Sequence, residues 1–214
     1  AQFFYNRTIQ QSRSKSLKPE YKYNIDLASY FLKDNGYEVN RIDAPLIRLI
    51  TQNKIKNSSK KYIFIHPFTG GSSKTLSDND FIKLCLALHK LCSCKFVLHC
   101  DKYDYEKCLN IIKKVSDLDI DIIKPTDQLT QMFSNINECD LFISGSTGPL
   151  HVAGSLNKKT VGFYPSVKSS TSRRWKTINE ECNKLFFEDS GTDDKCIKVD
   201  INSVADEIYN RLLK

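Results

Sequence analysis

From Lys61 onward, short apolar runs alternate with amphipathic stretches, the pattern of parallel β-strands joined by crossover helices. Tyr62 to Ile65 reads as a buried strand, and Phe81, Leu84, Cys85, Leu88 and Leu91 then recur at helical spacing. Phe96-Val97-Leu98 gives a second strand, after which Tyr105, Cys108, Leu109 and Ile112 line a helix and Ile120, Ile122 and Ile123 suggest a third strand. Leu129, Met132, Phe133 and Ile136 form a short helix face. Leu141-Phe142-Ile143 is the clearest strand, and Thr160 to Tyr164 supplies another, so the sheet is expected to hold about five strands. The chain closes in a helix from Asp200 to Leu213, with Val204, Ile208 and Leu212 on one stripe behind an expected Asn202 cap. The pattern therefore predicts an α/β unit over 61–214. Residues 49–60, polar and rich in Lys, Asn and Ser, read as a linker that separates it from residues 1–48.

Composition changes this picture little. A chain of 214 residues, 40% hydrophobic and 27% charged, can bury one substantial core with a small second unit beside it. No apolar run approaches the roughly 18 to 20 residues of a bilayer span, and no charged start precedes an apolar segment, which places the chain in the cytoplasm. Ala1-Gln2-Phe3-Phe4-Tyr5 starts in apolar mid-stream and reads as a cut end. The eight cysteines fall mostly within apolar-periodic segments and read as reduced core residues. Cys92-Ser93-Cys94 is too tight for a zinc knuckle or a redox motif, so no metal is assigned to it.

Charge is uneven: residues 1–60 hold eleven Lys and Arg against five Asp and Glu. Such a surplus could face nucleic acid or an anionic membrane, or be a solvated edge. Nucleic acid is the weaker reading, because Phe3, Phe4, Tyr5, Tyr21 and Tyr23 look more like packing residues than stacking platforms.

Two loops are candidates for chemistry, because ligands of parallel sheets bind at the carboxyl ends of strands, near unpaired helix N–H groups. His66-Pro67-Phe68-Thr69-Gly70-Gly71-Ser72-Ser73-Lys74 leaves a strand, carries two glycines and ends in a cation. It could cradle a phosphate or be a flexible turn with a solvated Lys74. It is neither a Walker A loop nor a dinucleotide fingerprint. Gly145-Ser146-Thr147-Gly148-Pro149-Leu150-His151 places small residues at a strand tip and Pro149 at the expected first helical position. Ser146, Thr147 and His151 could bind a diphosphate there. Alternatively, Thr147 is an N-cap and His151 a packing residue. Asp78-Asn79-Asp80 and the Asp119/Asp121 pair resemble metal-binding spacings, but the first reads as the opening turn of a helix and the second flanks a strand.

The segment Asp140 to Gly154, DLFISGSTGPLHVAG, is similar to the signature of glycosyltransferase family 9, a strand followed by an Asp-Ser/Thr-Gly-x-x-His turn and a small-residue helix. The loop ending in Lys74 resembles the same family's upstream loop, with Thr75-Leu76-Ser77 and Phe81 beyond. Tyr164-Pro165-Ser166 and Ser172-Arg173-Arg174-Trp175 look like the Phe-Pro-Pro and Arg-Trp elements of some members. Phe4-Tyr5-Asn6-Arg7, with a helix from Glu20 to Leu32, is similar to the stretch that closes the N-terminal domain in lipopolysaccharide heptosyltransferases.

The resemblance implies a GT-B architecture, two Rossmann-like domains facing a cleft. Residues 61–214 would be the donor-binding domain and residues 1–48 a remnant of the acceptor domain. By the same mapping Lys74 would neutralise donor phosphate, and Thr69 and Gly70 would line its path. Thr147, Gly148 and His151 would grip the diphosphate, and Glu106 would touch the nucleoside. Ser146 stands where the family has aspartate. The family's general base, a carboxylate near the start of the N-terminal domain, maps onto no residue here, which implies a further domain on the order of 100 to 150 residues. The implied reaction is an inverting, metal-independent and cofactor-free transfer of a heptose-type sugar from an ADP-linked donor to a lipid-linked lipopolysaccharide acceptor. Lys15, Lys18 and Lys22 would favour peripheral contact with the membrane. A nucleotide- or sugar-binding module without catalysis is the alternative, since Ser146 replaces a charged contact.

Overall fold

A computed structural model describes residues 6–40, 47, 59–71, 73–125, 128–191 and 195–214. The first segment carries a helical turn at Arg13–Lys15 and helix α1 (Glu20–Asp34), close to the expected bounds. The aromatic residues Phe3 to Tyr5 and most of the expected linker, 49–58, lie outside the described residues.

The α/β unit begins at Lys61. Its strands are β1 (Lys61–His66), β2 (Cys94–Leu98), β3 (Ile120–Ile122), β4 (Leu141–Gly145), β5 (Lys159–Tyr164) and β6 (Lys184–Glu188). They form one sheet in the order β3-β2-β1-β4-β5-β6, and every neighbouring pair is parallel. The expectation of about five strands is corrected to six. β6 escapes the pattern because Lys184 and Leu185 are buried whereas Phe186 is exposed, which gives neither a clean apolar run nor a clean alternation.

Connecting helices are α2 (Asp78–Leu91), α3 (Tyr105–Lys113), α4 (Leu129–Asn137), α5 (Gly148–Ser155), the single turn α6 (Ser172–Trp175) and α7 (Ile201–Ile208). Alternation along each strand sends side chains to two cores. Ile63, Ile65, Leu141, Ile143 and Phe163 join Phe81, Leu84, Leu88 and Ile208 on one face. Phe64, Phe142 and Tyr164 join Ile136, Leu150 and Ala153 on the other. The cysteines of this unit carry free thiols, and burial pushes those of Cys85 and Cys94 up to about 12.

Local signals set the helix starts. Ser77 caps α2, accepting from the Asp80 amide at 3.2 Å while its Oγ donates to the Asp80 carboxylate at 2.6 Å. Asp78 and Asp80 lie in that helix's first turn, where acids complement the dipole. The expected Asn202 cap of the last helix is corrected: Asp200 caps it, its carboxylate accepting from the Ser203 amide at 2.9 Å. Asp200 is the better cap because an ionised acceptor bonds the amide more strongly than a neutral one. α7 continues as a wider turn over Tyr209–Leu213. Among the described residues, no helix is long and apolar enough to cross a membrane.

Candidate functional site

Strand order reverses between β1 and β4, which are paired with His66 opposite Ser144. In an open parallel sheet the crevice outside the carboxyl ends at that reversal is the natural ligand site. Both candidate loops leave from there, the first from β1 and the second from β4. Gly145 is their meeting point: a Cβ placed on it would lie 3.0 Å from Thr75 Oγ1 and 3.1 Å from Thr69 Cγ2. The first loop bends through Gly70 and Gly71 at φ +57° and +79°, a left-handed pair that favours glycine. It is closed by Thr69 Oγ1, which donates to the Ser73 carbonyl at 2.5 Å.

Beside this meeting point opens a cavity of about 460 Å³, walled by Ser73 from the first loop, Ser146, Thr147, Gly148 and His151 from the second, and Arg174 and Trp175 from α6. Ser169 and Ser170, just before α6, complete the wall. Ser146, Thr147, Gly148 and His151 are thus brought together as the sequence predicts. Lys74 follows Ser73 directly, in the loop that Thr69 and Gly70 shape, but none of these three lines the cavity itself. Glu106 is exposed in the first turn of α3, at the carboxyl end of β2 and outside the cavity.

The helix at the cavity begins one residue earlier than expected. Thr147 is the N-cap, its Oγ1 accepting from the Leu150 amide at 3.4 Å and bonding Ser144 Oγ at 2.9 Å, so Gly148 opens the helix and Pro149 comes second. Proline at either place lacks only an amide that has no partner within the helix. Thr147 therefore spends its hydroxyl on the cap. What α5 turns toward the cavity is its N-terminal end, with the positive end of the helix dipole.

Ser73 Oγ differs. It is buried and has no hydrogen-bond partner among the described residues, and the same holds for Thr75 Oγ1. Leaving a hydroxyl unpaired away from water costs about 1 to 3 kcal/mol, a cost that a ligand bonding to it would recover. His151 is kept below its ordinary pKa by burial and is therefore neutral near pH 7; its ring meets Trp175 edge-on at 6.3 Å. Trp175 is held by its Nε1 donating to the Ser169 carbonyl at 2.8 Å, and its own carbonyl accepts from Tyr164 OH at 3.1 Å. Arg174 stacks over the Trp175 ring at 5.4 Å and pairs with Glu20 of α1 at 3.0 Å.

The sequence reading assigned no site role to Ser73, Ser169, Ser170, Arg174 or Trp175. The last two stood in the resemblance to the Arg-Trp element, which was the available signal. At the end of β1, His66 Nδ1 lies 2.9 Å from the His99 carbonyl, and burial, with repulsion from His99, lowers its pKa to about 4. Among the described residues, no group of His, Cys, Asp and Glu is placed to hold a metal ion.

A family model described as glycosyltransferase family 9 (heptosyltransferase) matches residues 4–197. A Haemophilus influenzae protein named no more finely than glycosyltransferase is 35% identical over 197 residues, covering 87% of this chain and 57% of that protein. Lipooligosaccharide heptosyltransferase 2 of Campylobacter jejuni is 25% identical over 131 residues, covering 58% of this chain and 40% of that protein. Among solved structures, E. coli heptosyltransferase WaaC with ADP superposes with a TM-score of 0.70 at 13% identity, covering 98% of this chain and 61% of that one. E. coli ADP-heptose LPS heptosyltransferase II superposes at 0.61 and 17% identity, covering 96% of this chain and 53% of that one. The fold is thus that of these transferases, and the chain spans only 57% and 40% of the two curated relatives' lengths.

Proposed function

Because the chain belongs to glycosyltransferase family 9, we propose that residues 61–214 bind a nucleotide-linked sugar, an ADP-heptose, in the cavity between the β1 and β4 loops. The observation that carries this reading is the unpaired Ser73 hydroxyl, buried in the wall that also holds Arg174 and the N-terminal end of α5. A diphosphate supplies acceptor oxygens to such a hydroxyl and negative charge to the helix end. Thr69 and Gly70 shape the path, and Lys74 reaches the phosphates from the loop. Ser146 contacts the donor through a neutral hydroxyl, and Glu106 meets the nucleoside at the β2 side.

In the transfer, a carboxylate takes the proton of the acceptor hydroxyl as its oxygen attacks the anomeric carbon, and the bond from that carbon to the nucleoside diphosphate breaks with inversion. The leaving diphosphate gains charge, which Lys74, Arg174 and the end of α5 stabilise without a metal or cofactor. Residues 1–48 belong to the acceptor side, the base is contributed from outside these 214 residues, and the chain alone does not transfer sugar. The acceptor is lipid-linked lipopolysaccharide inner core at the cytoplasmic face of the membrane. Lys15 and Lys22 favour that surface, whereas Lys18 is engaged by Asp26.

Titration of the chain with ADP, UDP, GDP and CDP by calorimetry tests the donor reading. ADP is expected to bind in preference to the others, and Lys74→Ala to weaken it at least tenfold, about 1.4 kcal/mol. Equal affinities for the four, or none, would overturn it.

A further inference from the structure

Arg174 enters the donor cavity from α6, but the aim of its guanidinium is decided outside the cavity wall. Its Nε donates to Glu20 Oε2 at 3.0 Å, and Glu20, on α1, does not line the cavity. The two terminal nitrogens, Nη1 and Nη2, make no hydrogen bond with any described residue. A guanidinium gripped at Nε keeps its paired Nη donors free, and that edge can take two oxygens of one oxyanion at once.

The guanidinium is fixed from a second side as well. It lies over the Trp175 ring at 5.4 Å, and that ring is held by its Nε1 donating to the Ser169 carbonyl at 2.8 Å. Contact with the ring sets the height of the guanidinium but not which of its edges faces the cavity; the bond from Nε to Glu20 sets that. Glu20 is held in turn, its Oε1 accepting from Arg13 Nη1 at 2.7 Å. One carboxylate shared by two guanidiniums leaves one positive charge over, so the pairing does not cancel Arg174 toward an incoming anion.

We propose that Glu20 is a positioning residue of the donor site: by holding Nε of Arg174 it presents the Nη pair to the diphosphate, so the segment before β1 takes part in donor binding. That the oxyanion is the donor's diphosphate rests on the transferase reading above, whereas the aim of Arg174 rests on the geometry alone. Charge and positioning predict opposite results here. An acid beside a cation opposes that cation's hold on an anion, so a Glu20 that acted by charge alone would weaken binding, and its removal would tighten it. A Glu20 that acts by holding the side chain does the reverse, because a released arginine has to be ordered afresh each time an anion binds.

The test is calorimetric titration of the whole chain with ADP and with inorganic pyrophosphate, in the parent, Glu20→Ala, Glu20→Gln, Arg174→Ala and the Glu20→Ala/Arg174→Ala double variant. Glu20→Ala should weaken both ligands about fivefold to tenfold. Glu20→Gln, which keeps an acceptor oxygen for Nε and drops the charge, should bind both within about twofold of the parent. In the Arg174→Ala background, which has already lost the same ion pair, Glu20→Ala should change pyrophosphate affinity by less than about twofold. Unchanged or tighter pyrophosphate binding in Glu20→Ala, no recovery in Glu20→Gln, or an equal loss in the Arg174→Ala background overturns the proposal and leaves a purely structural tie. Pyrophosphate binding that depends on Glu20 in a chain that ignores ADP upholds the positioning role and overturns the donor reading instead. A chain that binds neither ligand overturns both.

Discussion

Glu20 and Arg174, 154 residues apart, meet in a charge-assisted pair with Nε 3.0 Å from Oε2, each side chain about one-sixth exposed. Glu20 also takes Arg13 at 2.7 Å, so one carboxylate joins the segment before β1 to the turn that lines the cavity.

Removing that carboxylate takes the ion-pair partner from both guanidinium groups, of which Arg13 keeps its bonds to Gln11 Oε1 and Asn24 Oδ1. Glu20→Ala is expected to lower unfolding free energy by about 1 to 3 kcal/mol, read from urea denaturation. Arg174→Ala should weaken ADP about tenfold as well. An Arg174→Ala chain that binds ADP as the parent does would remove this residue from the donor site.

Ser73→Ala separates a structural hydroxyl from a binding one. The unliganded protein should lose no stability and gain up to about 1 kcal/mol, because an unsatisfied buried oxygen is removed. ADP affinity should fall about threefold to tenfold in the same variant. A stability loss would mean that the hydroxyl already has a partner in the free protein.

Gly145→Ala brings a methyl group to within 3.0 to 3.1 Å of Thr75 and Thr69. The loops have to part by a few tenths of an ångström, which costs about 1 to 3 kcal/mol of overpacking. ADP affinity, measured by calorimetry, should fall in step as the two loops part. Gly70→Ala, at φ +57° with nothing closer than 4.0 Å, should cost only the backbone penalty of about 1 kcal/mol.

His66 makes the fold sensitive to acid. Its pKa is about 4 in the folded chain against an ordinary 6.5, chiefly because burial disfavours the charged ring. Between those values the unfolded chain binds more protons, so stability is full above pH 6.5 and falls as pH drops toward 4, by on the order of 3 kcal/mol from this group alone. Urea midpoints at pH 7.5 and 4.5 should differ in this direction, and the difference should shrink in His66→Gln.

The expectations that held rest on signals that survive in one dimension. β1 and β4 are central parallel strands buried on both faces, so they are written as unbroken apolar runs, and each ends in a loop of glycine, serine and threonine. The family signature over Asp140 to Gly154 sits on the second of these, which is why half of the expected site residues converge. Arg174 and Trp175 reach the cavity only because β5 returns the chain beside β4, a relation that spacing along the sequence does not encode. Ser73 lies within the first loop, which the sequence shows. What singles it out is an absent partner, a property of packing. Glu106 shows the converse, since a place in the first turn of α3 fixes which end of the sheet it occupies but not its distance from the cavity.

The pairing of Arg174 with Glu20 has a thermodynamic corollary. It ties the α6 turn to α1, so whatever factor a group bound at Arg174 imposes on the closing of that tie, the tie imposes on the affinity for that group.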